Sequence, residues 1–158
     1  MYTNNNTDTF NAPNFGTITN KDIDEILRGE ISATEAYSQV LESISDDPEV
    51  YRLVQLRLDH ENALMFWRKE ARMSGKIPES TSSIWGEAVE AFVGVSKLFG
   101  EDTALLALKR GEEHGLSNYE NMLESELISS FQKEEIRNTF IPRQRRHIKS
   151  IDNLLKQK

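Results

Sequence analysis

The sequence predicts an all-α fold, on three observations. Apolar residues recur at three- and four-residue steps through most of its 158 residues, the period of helices with one buried face. No stretch alternates apolar and polar residues as a half-buried strand does, and none carries a hairpin signal. After residue 20 the only prolines are Pro48, Pro78 and Pro142, which leaves long helix-forming stretches between them.

Residues 1–19 are rich in Asn and Thr and include Pro13 and Gly16. They cannot bury enough apolar surface to offset their ordering entropy, so a flexible polar tail is expected there, with one domain over 20–158. The first helix begins at Asn20, a good N-cap. It turns Ile23, Ile26, Leu27, Ala33, Tyr37, Val40, Leu41 and Ile44 inward and stops at Asp46-Asp47-Pro48. The second runs from Pro48 to Met73, with Leu53, Leu56, Ala63, Leu64 and Trp67 inward, and ends at Ser74-Gly75. A polar linker, Lys76–Ser83, leads to an extra short helix, Trp85–Leu98. The next long helix, Asp102–Leu127, buries Leu105, Leu108, Tyr119 and Met122. The last, Gln132–Leu155, opens on Ser129 and Gln132, spaced as in a capping box, and Pro142 should kink or divide it. The connections after the first helix and before the last are short, which favours antiparallel neighbours. The long middle connection must carry the chain across the bundle.

Composition excludes several kinds of chemistry. There is no Cys, hence no disulfide, thiolate metal site or Cys nucleophile. A net charge of −7 gives no footprint for nucleic acid or an anionic membrane. Residues 133–158 hold eight Lys and Arg against three Glu and Asp, which is read as a basic helix packing beside acidic ones, its long stems covering apolar surface. No apolar run approaches the ~18 residues of a membrane span, and the N-terminus lacks the features of a signal peptide. A soluble, cytoplasmic bacterial protein is expected. Nucleotide-binding and serine-hydrolase motifs are missing. His114, beside Glu113, falls off the apolar stripe and is expected on the surface.

The chemistry gathers in an internal repeat. Arg28-Gly29-Glu30, Ala33 and Tyr37 are matched by Arg110-Gly111-Glu112, the equally small Gly115, and Tyr119, each position 82 residues after its counterpart. Glu and Tyr stand seven apart, close to two turns, and so share a face, which is the apolar one. The partner helices echo each other through Arg57-x-x-His60 and Gln144-x-x-His147, with both histidines on apolar faces. Buried carboxylates are costly unless paired or bound to metal. The pattern therefore points to one shared polar centre of Glu30, His60, Glu112 and His147, with Arg57, Gln144, Tyr37 and Tyr119 around it.

On these residues the chain resembles the ferritin-like superfamily, in the manner of bacterioferritin and rubrerythrin. It is most similar to an uncharacterised bacterial ferritin-like family. The resemblance covers about residues 20–155 and implies an antiparallel four-helix bundle with a long crossover carrying the extra helix. Di-iron members place one Glu on each of two helices and Glu-x-x-His on each of the other two. Glu30 and Glu112 match the first pair, and His60 and His147 match the histidines. The carboxylates that would bridge two metals are Arg57 and Gln144 here. The resemblance thus implies a degenerate di-iron centre in a non-catalytic protein with a stress-related or assembly role and no cofactor. Arg57 is expected to bond Glu30, Glu112 or both, where metal would otherwise sit. The alternative is a metal-binding, oxidase or storage protein holding one zinc or iron ion on the four candidates. A homodimer is the assembly such bundles suggest.

Overall fold

The computed structural model describes residues 21–42, 44, 47–75 and 100–157. All regular structure among them is helical. The elements are α1 (Lys21–Leu41), α2 (Asp47–Met73), α3 (Glu101–Met122), α4 (Ser130–Glu135) and α5 (Ile141–Lys156), and a π-helical turn, Ile136–Phe140, joins α4 to α5. The expected tail, the Asn20 cap and the short helix Trp85–Leu98 lie outside the described residues. No described helix is long and apolar enough to cross a membrane.

Helix α1 packs on α2 and α3, and α5 packs on α3 and α2. The buried faces form two apolar clusters. One contains Ile23, Ile26 and Leu27 of α1, Ala63, Leu64 and Trp67 of α2, Tyr119 and Met122 of α3, and Ile136, Phe140 and Ile141 of the last rod. The other contains Tyr37 and Val40, Leu53 and Leu56, Leu105 and Leu108, and Ile151 and Leu154. Each of α1, α2, α3 and α5 thus leaves one cluster and enters the other, and each sets a buried acid or imidazole in between: Glu30, His60, Glu112 and His147. Burial of these large apolar side chains, ~1.5–3 kcal/mol apiece, offsets the cost of a charged layer between them.

Two local expectations change, and a third takes a particular form. Helix α3 ends at Met122, not Leu127. Leu123, Glu124 and Ser125 instead bond back three residues, to the carbonyls of Glu120, Asn121 and Met122, and the Ser125 hydroxyl donates to Asp22 while accepting from the Leu127 N–H. Such local serine bonds compete with helix continuation. Helix α1 stops at Leu41, before the expected Asp46. Pro142 falls where the expected last helix is divided, just after the π turn that separates α4 from α5. It sits in the first turn of α5, and the preceding turn widens so that the Ile141 N–H reaches the Ile136 carbonyl. That wider register lets the chain pass a residue with no N–H of its own. The Ser129–Gln132 capping box forms as expected, and Gln132 also donates to the buried Glu70 (2.8 Å), tying α4 to α2.

Candidate functional site

The layer between the clusters is a chain of alternating acids and imidazoles. His60 Nδ1 lies 2.7 Å from Glu30 Oε2, and its Nε2 lies 2.9 Å from Glu112 Oε1. An ionised carboxylate only accepts, so a ring facing one at each nitrogen carries a proton on both. His60 is therefore an imidazolium held between two buried carboxylates. His147 continues the chain. Its Nδ1 lies 3.2 and 3.3 Å from the two Glu112 oxygens, and its Nε2 lies 3.1 Å from Asp59 Oδ2. Asp59 in turn meets Arg143, whose Nε is 3.7 Å from Oδ1 and whose Nη1 donates to the Asp59 carbonyl at 3.1 Å.

The two halves of the repeat exchange their tyrosines. Tyr37 donates to Glu112, and Tyr119 donates to Glu30. Each carboxylate is thus held by the tyrosine of the other repeat and by His60. Trp67 Nε1 donates to the Tyr119 hydroxyl at 3.0 Å, so the network extends into the first apolar cluster.

The electrostatics follow from this geometry. Burial alone would lower the His60 pKa, but the charge of Glu112 and hydrogen bonds to Glu112 and Glu30 outweigh it and raise the value to about 10. Burial would raise Glu112, yet the charge of His60 and hydrogen bonds from both histidines hold it down at about 2. His147 is also raised: burial opposes its charge, but bonds to Asp59 and Glu112 prevail. The His147 bond lowers Asp59. Burial, followed by the charge of the accepting Glu, pushes both tyrosines well above their usual range, so both remain donors. Two imidazoliums and Arg143 face Glu30, Glu112 and Asp59, and the layer balances its own charge.

Glu30, His60, Glu112 and His147 therefore come together, with Tyr37 and Tyr119 bonded to them. Arg57 does not join them, contrary to the sequence expectation. Its side chain is 32% exposed and turns toward Glu61 (3.5 Å), on its own helix, and toward the Ser38 hydroxyl (3.3 Å). Three residues before His60, it starts from the same side of α2, but its long side chain bends away from the centre, leaving its Nε enclosed and its end between Glu61 and Ser38. The cation expected from Arg57 is supplied by His60. Arg57→Ala should accordingly cost under ~1 kcal/mol, as for an exposed pair. Urea unfolding of the variant checks this.

Gln144 is 5% exposed and lies against the centre, but its Oε1 has no hydrogen-bond partner. A Cβ on Gly115 would lie 2.5 Å from Gln144 Nε2, so the glycine makes room for the amide. His114 is exposed, as expected. Sequence reasoning missed Asp59 and the polar role of Trp67. Asp59 sits one residue off the His60 face, which reads as surface, and its place in the second half of the pattern is taken by Arg146.

The layer holds three carboxylates, Glu30, Glu112 and Asp59, one fewer than the four that a paired-iron site built on Glu-x-x-His helices uses. One ion is a different case. His60, Glu112 and His147 each offer a ligand atom, all within 4.8 Å of one another, and could hold a single metal ion. The imidazoles would first have to shed protons. Comparison with protein-family models, curated proteins and solved structures finds no match for the chain.

Proposed function

We propose that this chain is a ferritin-like bundle in which protein charges replace the paired metal ions, and that it serves a non-catalytic role in binding or assembly. The observation that carries the reading is His60, with each ring nitrogen on a different carboxylate. In that arrangement the imidazolium is the cation that holds Glu30 and Glu112 together. The ferritin-like frame draws support from the order in which the helices cross the two apolar clusters. Helices α1 and α5 run from the Trp67 cluster to the Leu53 cluster, and α2 and α3 run the other way. Antiparallel pairs joined by one crossover have this pattern.

The second reading is a single zinc or ferrous ion on His60, Glu112 and His147. Their nearest contacts of 2.9 and 3.2 Å are close to the ligand spacing around a tetrahedral ion with bonds of about 2.0–2.1 Å. Matched anaerobic titrations with ferrous ion test both readings. The parent protein should bind less than one ion per chain. The double variant Arg57→Glu with Gln144→Glu, which restores the four-carboxylate set, should bind about two. Tight stoichiometric binding of one ion by the parent would favour the second reading. A folded double variant that binds no more than the parent would remove the ferritin-like reading of the centre.

A further inference from the structure

Beside the charged layer, α1 and α3 line a cavity of about 400 Å³ that opens to solvent. Its floor is Glu30, His60, Glu112 and Gln144, and its walls are mainly apolar. This is the size range of cavities that hold small organic molecules.

Two observations point to a ligand. Gly29 and Gly111, at matching places in the repeat, both line the cavity, and a Cβ built on either meets nothing within 4 Å. Neither has a positive φ, so neither backbone conformation nor packing calls for glycine there. Both are exposed; each costs its helix ~1 kcal/mol relative to alanine, and each leaves open space at the solvent edge of the cavity. The second observation is Gln144. It lines the cavity, is 5% exposed, and its buried Oε1 is unpartnered. A buried amide oxygen without a hydrogen bond is costly. Turning the amide about its last bond exchanges oxygen and nitrogen with little change of shape, so a guest can meet either an acceptor or a donor.

The remaining floor groups say what the guest is not. Both carboxylates are taken by tyrosine and histidine donors, and both His60 nitrogens are taken by carboxylates. No floor charge is left to attract a charged ligand, and the charged residues of the walls, Glu25, Arg28 and Glu35, are of both signs and reach solvent, which screens them. We infer that the α1–α3 cavity binds a small uncharged molecule with an apolar body of one or two rings and a single hydroxyl or amide group, which hydrogen-bonds Gln144. The exclusion of a charged guest rests on the ion pairs of the metal-free reading, whereas the cavity and its contact with Gln144 do not, because Gln144 and the glycines belong to no ion pair.

The test uses 2-naphthol as the probe, with the full chain followed by amide NMR. Saturable binding is expected, with the largest shifts at Ala33, Ala36, Gly111 and Gly115. Gly111→Leu fills the space and should weaken binding more than tenfold. Ala33→Leu, from the facing helix, does the same should the first variant fail to fold. Gln144→Leu keeps the bulk but not the polar group, and should weaken binding about fivefold, the worth of one hydrogen bond. The proposal is overturned by absence of saturable binding up to the probe's solubility, or by undiminished binding to a folded Gly111→Leu or Ala33→Leu variant. Equal affinity in Gln144→Leu also overturns it. Sedimentation supplies one more outcome: a parent dimer that the Gly111→Leu change dissociates would mean that a second copy fills the cavity, and the small-molecule assignment would fail.

Discussion

Replacing His60 with leucine should destabilise the protein by on the order of 3–5 kcal/mol, the usual cost of removing one partner from a buried ionic network. Leucine is near enough in size to keep the packing, so the loss isolates the charge. Glu30 would keep only Tyr119, while Glu112 would keep Tyr37 and His147. Two buried carboxylates would then face each other with their shared cation gone. For a domain whose total stability is of order 5–15 kcal/mol, that is a large fraction. Adding Glu30→Gln to the His60→Leu background removes one stranded charge and should recover part of the loss, a coupling that a double-mutant cycle reads directly. Urea unfolding of the four proteins is the measurement. A His60→Leu variant as stable as the parent would mean that the carboxylates are not ionised in the folded state.

Stability should also follow a defined pH profile. The folded state raises His60 from 6.5 to about 10. Its contribution is complete below pH 6.5 and is lost as pH rises from there toward 10. Glu112 is lowered from 4.5 to about 2. Its contribution is complete above pH 4.5 and is lost as pH falls toward 2. His147, raised, adds to the alkaline loss, and Asp59, lowered, adds to the acid one. Melting temperature should therefore be highest between about pH 4.5 and 6.5 and fall on both sides, with an alkaline loss on the order of a few kcal/mol. The His60→Leu variant should lose much of its alkaline slope, which separates this group from the lysines and tyrosines.

The all-helical class and most inward faces were legible because a 3.6-residue period leaves a direct trace in the order of residues. The meeting of Glu30, His60, Glu112 and His147 was legible for the same reason: each interrupts an apolar stripe, and the repeat doubles the signal. Other features depend on information the order of residues does not hold. The exchange of Tyr37 and Tyr119 depends on how the two repeats face each other across the bundle. The outward turn of Arg57 is a rotamer choice made by solvent, Glu61 and Ser38. Asp59 reaches His147 only because α5 passes beside that flank of α2. Pro142 marked the division of the last helix, but not that the division would take the form of a π turn before it.

The protonation of His60 can be read directly by ¹⁵N NMR of the histidine side chains between pH 5 and 9. An imidazolium held between Glu30 and Glu112 predicts ring N–H signals on both His60 nitrogens at pH 8, slow to exchange, with no titration step near 6.5. A bare nitrogen on His60 at pH 8, or a midpoint at the ordinary histidine value, would contradict a charged His60 as the cation of the buried layer.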